Sequence, residues 1–187
     1  AVGPGNEEDA EQFIRLTSAL RQVRNDLFLN CTCGTWASPF WFQFADAVWR
    51  QDADWSTIGN QGNARQRWIT YRDYMVYKNF TVGSPLCPIN SLMTHGLIVS
   101  GFGNSGGNPP RAMEDDASAC TVAEITKEMR CAFACGSSLV ELYIDHELMT
   151  NKENGKLWGE LAECIKWHRN NADVLDDTHW VGGNPWD

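Results

Sequence analysis

Apolar runs typical of buried strands alternate along this chain with longer amphipathic segments. Four short runs rich in apolar residues predict strands, and four segments with apolar residues three or four positions apart predict helices. This alternation predicts an α/β fold built on a parallel sheet. The predicted strands span 26–33, 45–50, 87–93 and 139–144, and the predicted helices span 7–24, 63–79, 116–133 and 154–171.

The length and charge of the chain limit the classes of function that it can have. Its 187 residues are enough for one domain with an apolar core. The net charge of −9 argues against nucleic acid and anionic membranes as partners, because both require a basic surface. No apolar run in the sequence is long enough to span a bilayer. Nine tryptophans are compatible with an aromatic core, with a cleft lined by aromatic rings, or with both.

The seven cysteines predict mainly reduced, buried thiols rather than a disulfide framework. Cys31 and Cys33 are separated by one residue instead of the two that are typical of zinc knuckles, so we predict no structural zinc. Asp145 and His146 carry metal-ligating groups, but adjacent residues rarely chelate one ion. We therefore expect neither a metal nor another cofactor.

Polar and aromatic residues follow the predicted strands. In α/β folds the functional site lies at the carboxyl ends of the strands, so residues scattered along the sequence are expected to meet there. These residues are Asn30, Thr32 and Trp36 after the first strand, Asp52 and Asp54 after the second, Asn90 and His95 near the third, and Tyr143 and Asp145 near the fourth.

The segment 49–55 carries the residue types of a sugar-cleaving site. Asp52 and Asp54 stand two positions apart, beside Arg50 and between Trp49 and Trp55. Tryptophan rings stack on the apolar faces of pyranoses, and carboxylates transfer protons to glycosidic oxygens. An arginine beside them would orient the carboxylates. The alternative is a polar loop with two solvated aspartates, because short motifs also match by chance.

Several motifs together resemble the α-galactosidase clan of glycoside hydrolases. Within that clan, the chain is most similar to a bacterial group of α-galactosidase-like proteins that are sometimes labelled enterotoxins. The resemblance extends over nearly the whole chain. The matching segments are Asn30-Cys31-Thr32-Cys33-Gly34, the residues 35–41, the residues 49–55, Trp68-Ile69-Thr70-Tyr71-Arg72-Asp73, the residues 88–96, and Asp177-Thr178-His179-Trp180-Val181-Gly182-Gly183.

The resemblance implies a (β/α)8 barrel of the TIM type, of which this chain would supply strands five to eight. The whole chain, residues 1–187, would then be a single domain, the C-terminal half of the barrel. In the clan an aspartate on the fourth strand is the nucleophile, and that strand would be missing here. We therefore expect the chain alone to be inactive as a retaining glycosidase. The exposed edges of a half-barrel also predict a homodimer.

By the same resemblance, Asp52 matches the acid/base and Asp54 a ligand of a sugar hydroxyl. Arg50 matches the arginine that precedes the acid, but its spacing is shorter than in many members, so the choice between Asp52 and Asp54 stays open. Asn30, Thr32, Trp36 and His95 are expected to line the same cleft. A secreted or periplasmic location would follow from the family.

Three function classes are compatible with these residues. The first is catalysis on α-linked sugars by a glycoside hydrolase to which the chain contributes the acid/base. The second is a carbohydrate-binding module without turnover, which the same aromatic rings and carboxylates would serve. The third is a structural or interaction fragment. A second carboxylate about 5 Å from Asp52 would favour a retaining glycosidase.

Overall fold

The computed structural model describes residues 7–31, 38–49, 61–83, 87–98, 116–137, 139–143 and 155–187. Helices predominate in these residues, and short 3-10 turns precede β2, β3 and α3. The helices are α1 (Glu7–Val23), α2 (Ala64–Val76), α3 (Val122–Ala134), α4 (Lys156–Asn170) and α5 (Ala172–Leu175), and a π-helical segment, Tyr77–Val82, continues α2. The strands are β1 (Asn30–Cys31), β2 (Ala47–Trp49), β3 (Leu92–Ile98) and β4 (Leu139–Tyr143).

The four strands form one sheet in the order β1-β2-β3-β4, and every neighbouring pair is parallel. Consecutive parallel strands require a crossover connection, and helices provide it where the structure describes the connecting chain. Trp49 pairs with Met93, and Met93 pairs with Leu139, so the carboxyl ends of β2, β3 and β4 lie at the same edge.

One face of the sheet packs against the helices. Val48 belongs to a buried cluster that Phe13 of α1 covers. Leu92 packs with Val76 of α2, and Leu142 packs against the buried cluster between α3 and α4. Because side chains alternate between the faces of a strand, the residues next to these three in sequence point to the opposite face.

The helix layer has its own apolar core. Met129 of α3 is completely buried, and Leu157 and Leu161 of α4 complete the contact between the two helices. Trp68 of α2 is also completely buried and stacks on Tyr71 with ring centroids 6.0 Å apart. Among the residues that the structure describes, no helix is long and apolar enough to cross a membrane.

The predicted fold class, a TIM-type half-barrel, is wrong for this structure. The described chain is mainly helical, and its sheet is small: β1 has two residues and β2 has three. Strands in globular proteins are usually about five or six residues long, and a barrel interior needs inward side chains in several layers from every strand. Two of the four strands are too short to supply such layers, so the sheet is a small open one.

Two strand boundaries differ from the prediction for local chemical reasons. Among the described residues of the segment predicted as 26–33, only Asn30–Cys31 form a strand, because the Leu29 amide donates to the Asp46 carboxylate (2.7 Å) instead of to a neighbouring strand. Residues 32 and 33 lie outside the described residues. The strand predicted at 87–93 begins at Leu92. Pro88 has no amide hydrogen, and both the amide and the hydroxyl of Ser91 donate to its carbonyl, which closes a 3-10 turn there.

Side-chain caps set the starts of two helices. Asn63 caps α2, and its side chain accepts the amide hydrogen of Gln66 at 3.0 Å. Thr121 caps α3 by accepting from the Glu124 amide at 3.3 Å. The predicted helix 116–133 therefore begins later, at Val122, because the chain before Thr121 forms a 3-10 turn.

Candidate functional site

The predicted site residues divide into two groups. Asn30 lies in β1, and the backbone of His95 lies in β3, where it pairs with Glu141 of β4. The other five lie outside the described residues, and these are Thr32, Trp36, Arg50, Asp52 and Asp54. Asn90, which we expected near the carboxyl end of the third strand, instead lies in the turn before β3, at the opposite edge of the sheet.

The strand register defines a candidate site at the carboxyl edge of the sheet. β2 ends at Trp49, and Arg50 is the next residue in the sequence. β3 continues beyond the Trp49–Met93 pair through His95, and β4 accompanies it through Glu141. Trp49 and His95 therefore lie towards the carboxyl ends of β2 and β3. Asn30 is the first residue of β1 and pairs with Ala47, the first residue of β2, so it lies level with the amino ends of these strands.

Asn30 contributes an unsatisfied polar group on the sheet face away from the helices. Its Nδ2 donates to the sulfur of Met93 at 2.9 Å, which places the two side chains on one face although β2 lies between their strands. Its Oδ1 is buried and has no hydrogen-bond partner. A buried acceptor without a partner costs about 1–3 kcal/mol, so this oxygen is a natural acceptor for a ligand hydroxyl.

Glu141 is a carboxylate that the sequence analysis did not single out. Its neighbour Leu142 packs against the helices, so strand alternation directs Glu141 to the opposite face, which also carries Asn30 and Met93. The side chain of Glu141 is half-buried. The sequence did contain an indication of Glu141, because it is the one acid in an otherwise apolar strand, Leu139-Val140-Glu141-Leu142-Tyr143. A strand with a purely structural role rarely carries a carboxylate at such a position.

Known proteins provide no relative for this chain. No family model, no curated protein and no solved structure matches it. The resemblance to the α-galactosidase clan is therefore carried by the sequence motifs alone and stays a hypothesis. The functional argument depends on the residues themselves and on their positions in the sheet.

A buried ionic cluster lies between α2 and α3. Arg65 and Arg72 of α2 both pair with Glu128 of α3, with 3.5 Å between Arg72 Nη1 and Glu128 Oε1, and all three side chains are almost fully buried. The indole of Trp68 donates to the same carboxylate at 2.9 Å, and Arg65 Nε donates to the Ala119 carbonyl at 2.5 Å. The cluster joins the two helices, and its role is structural.

The carboxyl group of Asp73, next to Arg72 of this cluster, has a shifted pKa. Burial raises the pKa of Asp73, and the neighbouring Arg72 charge partly offsets the rise. Where the structure describes the chain, no group of three or more His, Cys, Asp or Glu side chains is arranged to hold a metal ion.

The cysteines follow the sequence prediction in part. Within the described ranges Cys31, Cys87, Cys120, Cys131, Cys135 and Cys164 are free thiols. Cys31 and Cys164 are buried as predicted, whereas Cys120 and Cys131 are exposed. Cys33 lies outside the described residues.

Proposed function

We propose that this chain binds a carbohydrate at the carboxyl edge of its sheet and supplies the proton donor for cleavage of an α-linked sugar. The observation that supports the proposal best is the parallel register. It places the end of β2 and His95 towards the carboxyl ends of their strands, and the two candidate acids follow β2 directly in the sequence.

Each residue type in this group suits one part of the chemistry. Asp52 would protonate the glycosidic oxygen, and Asp54 would accept hydrogen bonds from sugar hydroxyls. Arg50 would orient these carboxylates, and Trp36 would stack on the apolar face of the ring. The buried Oδ1 of Asn30, which has no partner in the protein, would accept from a hydroxyl group. Thr32 and His95 would complete the polar lining.

Binding and turnover require separate tests. Galactose binding to the purified chain is measured by calorimetry for wild type, Asn30→Ala and Asp54→Asn. We expect each substitution to weaken binding by up to about tenfold, which is the net value of one or two hydrogen bonds. The matched control is Asp173→Asn. Asp173 is an exposed aspartate of α5 and is distant in sequence from the predicted site residues. Wild-type protein that does not bind galactose or a related sugar would refute the proposal.

Turnover is measured as release of the aryl group from an aryl α-galactoside. Asp52→Asn should lower any turnover about 10²–10⁴-fold and leave galactose binding intact, because general acid catalysis contributes that factor. If Asp54→Asn has the larger effect on turnover, Asp54 is the acid. We expect the chain alone to bind galactose without turnover, because the nucleophile of the clan is missing, and turnover by the wild-type chain would show that another residue serves as the nucleophile. A carbohydrate-binding module is the second function that these residues are suited to.

A further inference from the structure

A second cavity lies at the amino edge of the sheet. It has a volume of about 310 Å³, within the range of about 300–1,000 Å³ that is typical of small-molecule sites. Chain segments that precede β3 and follow α5 form it together with the π-helical segment. Its lining residues are Phe80, Thr81, Cys87, Pro88, Ile89, Thr178, His179 and Trp180.

This cavity is separate from the carboxyl edge. Pro88 and Ile89 precede β3, and the wall residue Thr178 lies against Gly136, which precedes β4. The strands are parallel, so their amino ends lie at the edge opposite the end of β2 and His95.

Specific contacts hold the C-terminal wall of the cavity in place. Asn90 Nδ2, in the turn before β3, donates to Asp176 Oδ1 at 3.2 Å, and the Thr178 hydroxyl donates to the Leu175 carbonyl at 2.7 Å. The Trp180 indole donates to the Gly182 carbonyl at 2.7 Å, and its ring packs on the cluster of Val76, Ile89 and Leu92. These contacts hold the segment 177–183 in place as one wall of the cavity.

The opposite wall comes from an unusual helical element. Tyr77–Val82 is π-helical, and π-helical turns occur frequently at functional sites. This segment contributes Phe80 and Thr81 to the lining. Phe80 and Trp180 both pack against the same buried cluster, so two aromatic rings belong to one cavity.

The lining combines aromatic rings with uncharged hydrogen-bonding groups. Thr81, Thr178 and His179 provide hydroxyl and imidazole groups, and the described lining contains no Asp, Glu, Lys or Arg. Nε2 of His179 is 2.8 Å from Asp177 Oδ1, which leaves Nδ1 as the ring nitrogen that is not committed to Asp177. A phosphorylated or carboxylated ligand would find no Lys or Arg among these residues to match its charge.

We propose that this amino-edge cavity binds a neutral, polyhydroxylated ring of monosaccharide size. Such a ring has apolar faces for Phe80 and Trp180 and peripheral hydroxyls for Thr81, Thr178 and His179. The site is distinct from the proposed cleavage site and does not depend on Asp52. It would give the protein a second point of attachment to a carbohydrate.

The test follows the indole N–H signals of the chain by NMR during titration with galactose, galactose 6-phosphate and adenine. The Trp180 signal is assigned by its loss in Trp180→Phe. We expect galactose to shift this signal and His179→Ala to weaken that effect at least threefold. The His179 side chain is 76% exposed, so its removal should not affect folding. Asn30→Ala should leave the Trp180 response unchanged, because Asn30 lies on the sheet face away from the helices whereas Trp180 packs with Val76 of α2. Asp52→Asn should leave it unchanged as well.

Each other outcome overturns the inference. A Trp180 signal that galactose does not shift excludes a sugar at this cavity, whether or not the carboxyl edge binds one. Stronger binding of galactose 6-phosphate or adenine at Trp180 would show that the ligand class is anionic or aromatic. A Trp180 response that disappears in Asn30→Ala would show that the signal reports the site around Asn30 instead.

Discussion

At the scale of single residues, Glu128 is the side chain on which the helix layer depends most. One carboxylate serves two buried arginines and the Trp68 indole. Neutralising it would remove the charge of the carboxylate that both buried arginines contact, and breaking a buried ion pair typically costs about 3–5 kcal/mol.

We therefore predict that Glu128→Gln lowers the free energy of unfolding by about 3–5 kcal/mol, measured by urea denaturation. The matched control is Glu11→Gln, which removes an exposed pair with Arg15 and should cost well under about 1 kcal/mol. Equal small effects of the two substitutions would mean that the buried cluster does not hold α2 against α3.

Cys31 provides a test of burial in β1. Burial raises the pKa of its thiol to about 11, and the charge of Asp46 adds to the rise. The thiolate is the reactive form, so Cys31 should stay unmodified by iodoacetamide at pH 8 while the exposed Cys120 reacts. Because the folded pKa is raised, this thiol favours folding below about pH 9, and the contribution is lost as pH rises towards 11. Mass spectrometry after partial alkylation measures the order in which the cysteines are labelled. Early labelling of Cys31 would contradict its burial.

Local sequence pattern located some single residues and not others. The register places His95 towards the carboxyl end of β3, whereas Asn30, expected in the same cleft, lies at the start of β1 and level with the start of β2. The Glu128 cluster could not be predicted, because its pairs join residues more than fifty positions apart and only packing selects them. Glu141 was missed although the sequence contained a signal, since an acid within an apolar strand is unusual.

At the scale of elements, the order and direction of the strands were predictable and their boundaries were not. The alternation of apolar runs with helical segments predicted parallel neighbours, which the sheet has. The boundaries were decided by single contacts, such as the Leu29 amide on Asp46 and the Ser91 turn on Pro88. Such contacts require the tertiary structure and leave no periodic pattern.

Two glycines form a matched pair for testing the connection between α3 and β4. Gly136 has a φ of +79°, and a Cβ there would lie 2.5 Å from the Thr178 hydroxyl. We predict that Gly136→Ala destabilises the fold by about 1–3 kcal/mol, the typical cost of a strained backbone. Gly159 lies inside α4 with open space around it, so Gly159→Ala should stabilise by about 0.5–1 kcal/mol. Thermal melting measures both changes in stability. A Gly136→Ala variant as stable as the wild type would contradict the close approach of Thr178 to Gly136.

At the scale of the whole molecule, the resemblance predicted more than the structure contains. The motifs implied half of a barrel, but β1 and β2 are too short to line a barrel interior. Motifs of a few residues specify local chemistry, whereas strand length depends on contacts with the rest of the chain. The parallel strand edge is thus the part of the prediction that the function needs, and the structure retains it.

Self-association stays a prediction at this scale. In the described sheet β1 and β4 each have a neighbour on one side only, so each has an open edge that could pair with a second copy. α1 also exposes Leu16 and Val23. We expect a homodimer in sedimentation velocity at micromolar concentration. A monomer under these conditions would show that the edges are covered within one chain.

The most direct test of the central claim is a galactose titration of the isotope-labelled chain, followed at the side-chain amide of Asn30. We predict that galactose shifts this amide signal, because the buried Oδ1 next to it has no partner in the protein. His179→Ala should leave the shift unchanged, since Asn30 lies on the sheet face away from the helices and Trp180, next to His179 in sequence, packs with Val76 of α2. An Asn30 amide that does not respond to galactose or a related sugar, in a chain shown to be folded, would contradict the proposed carbohydrate site.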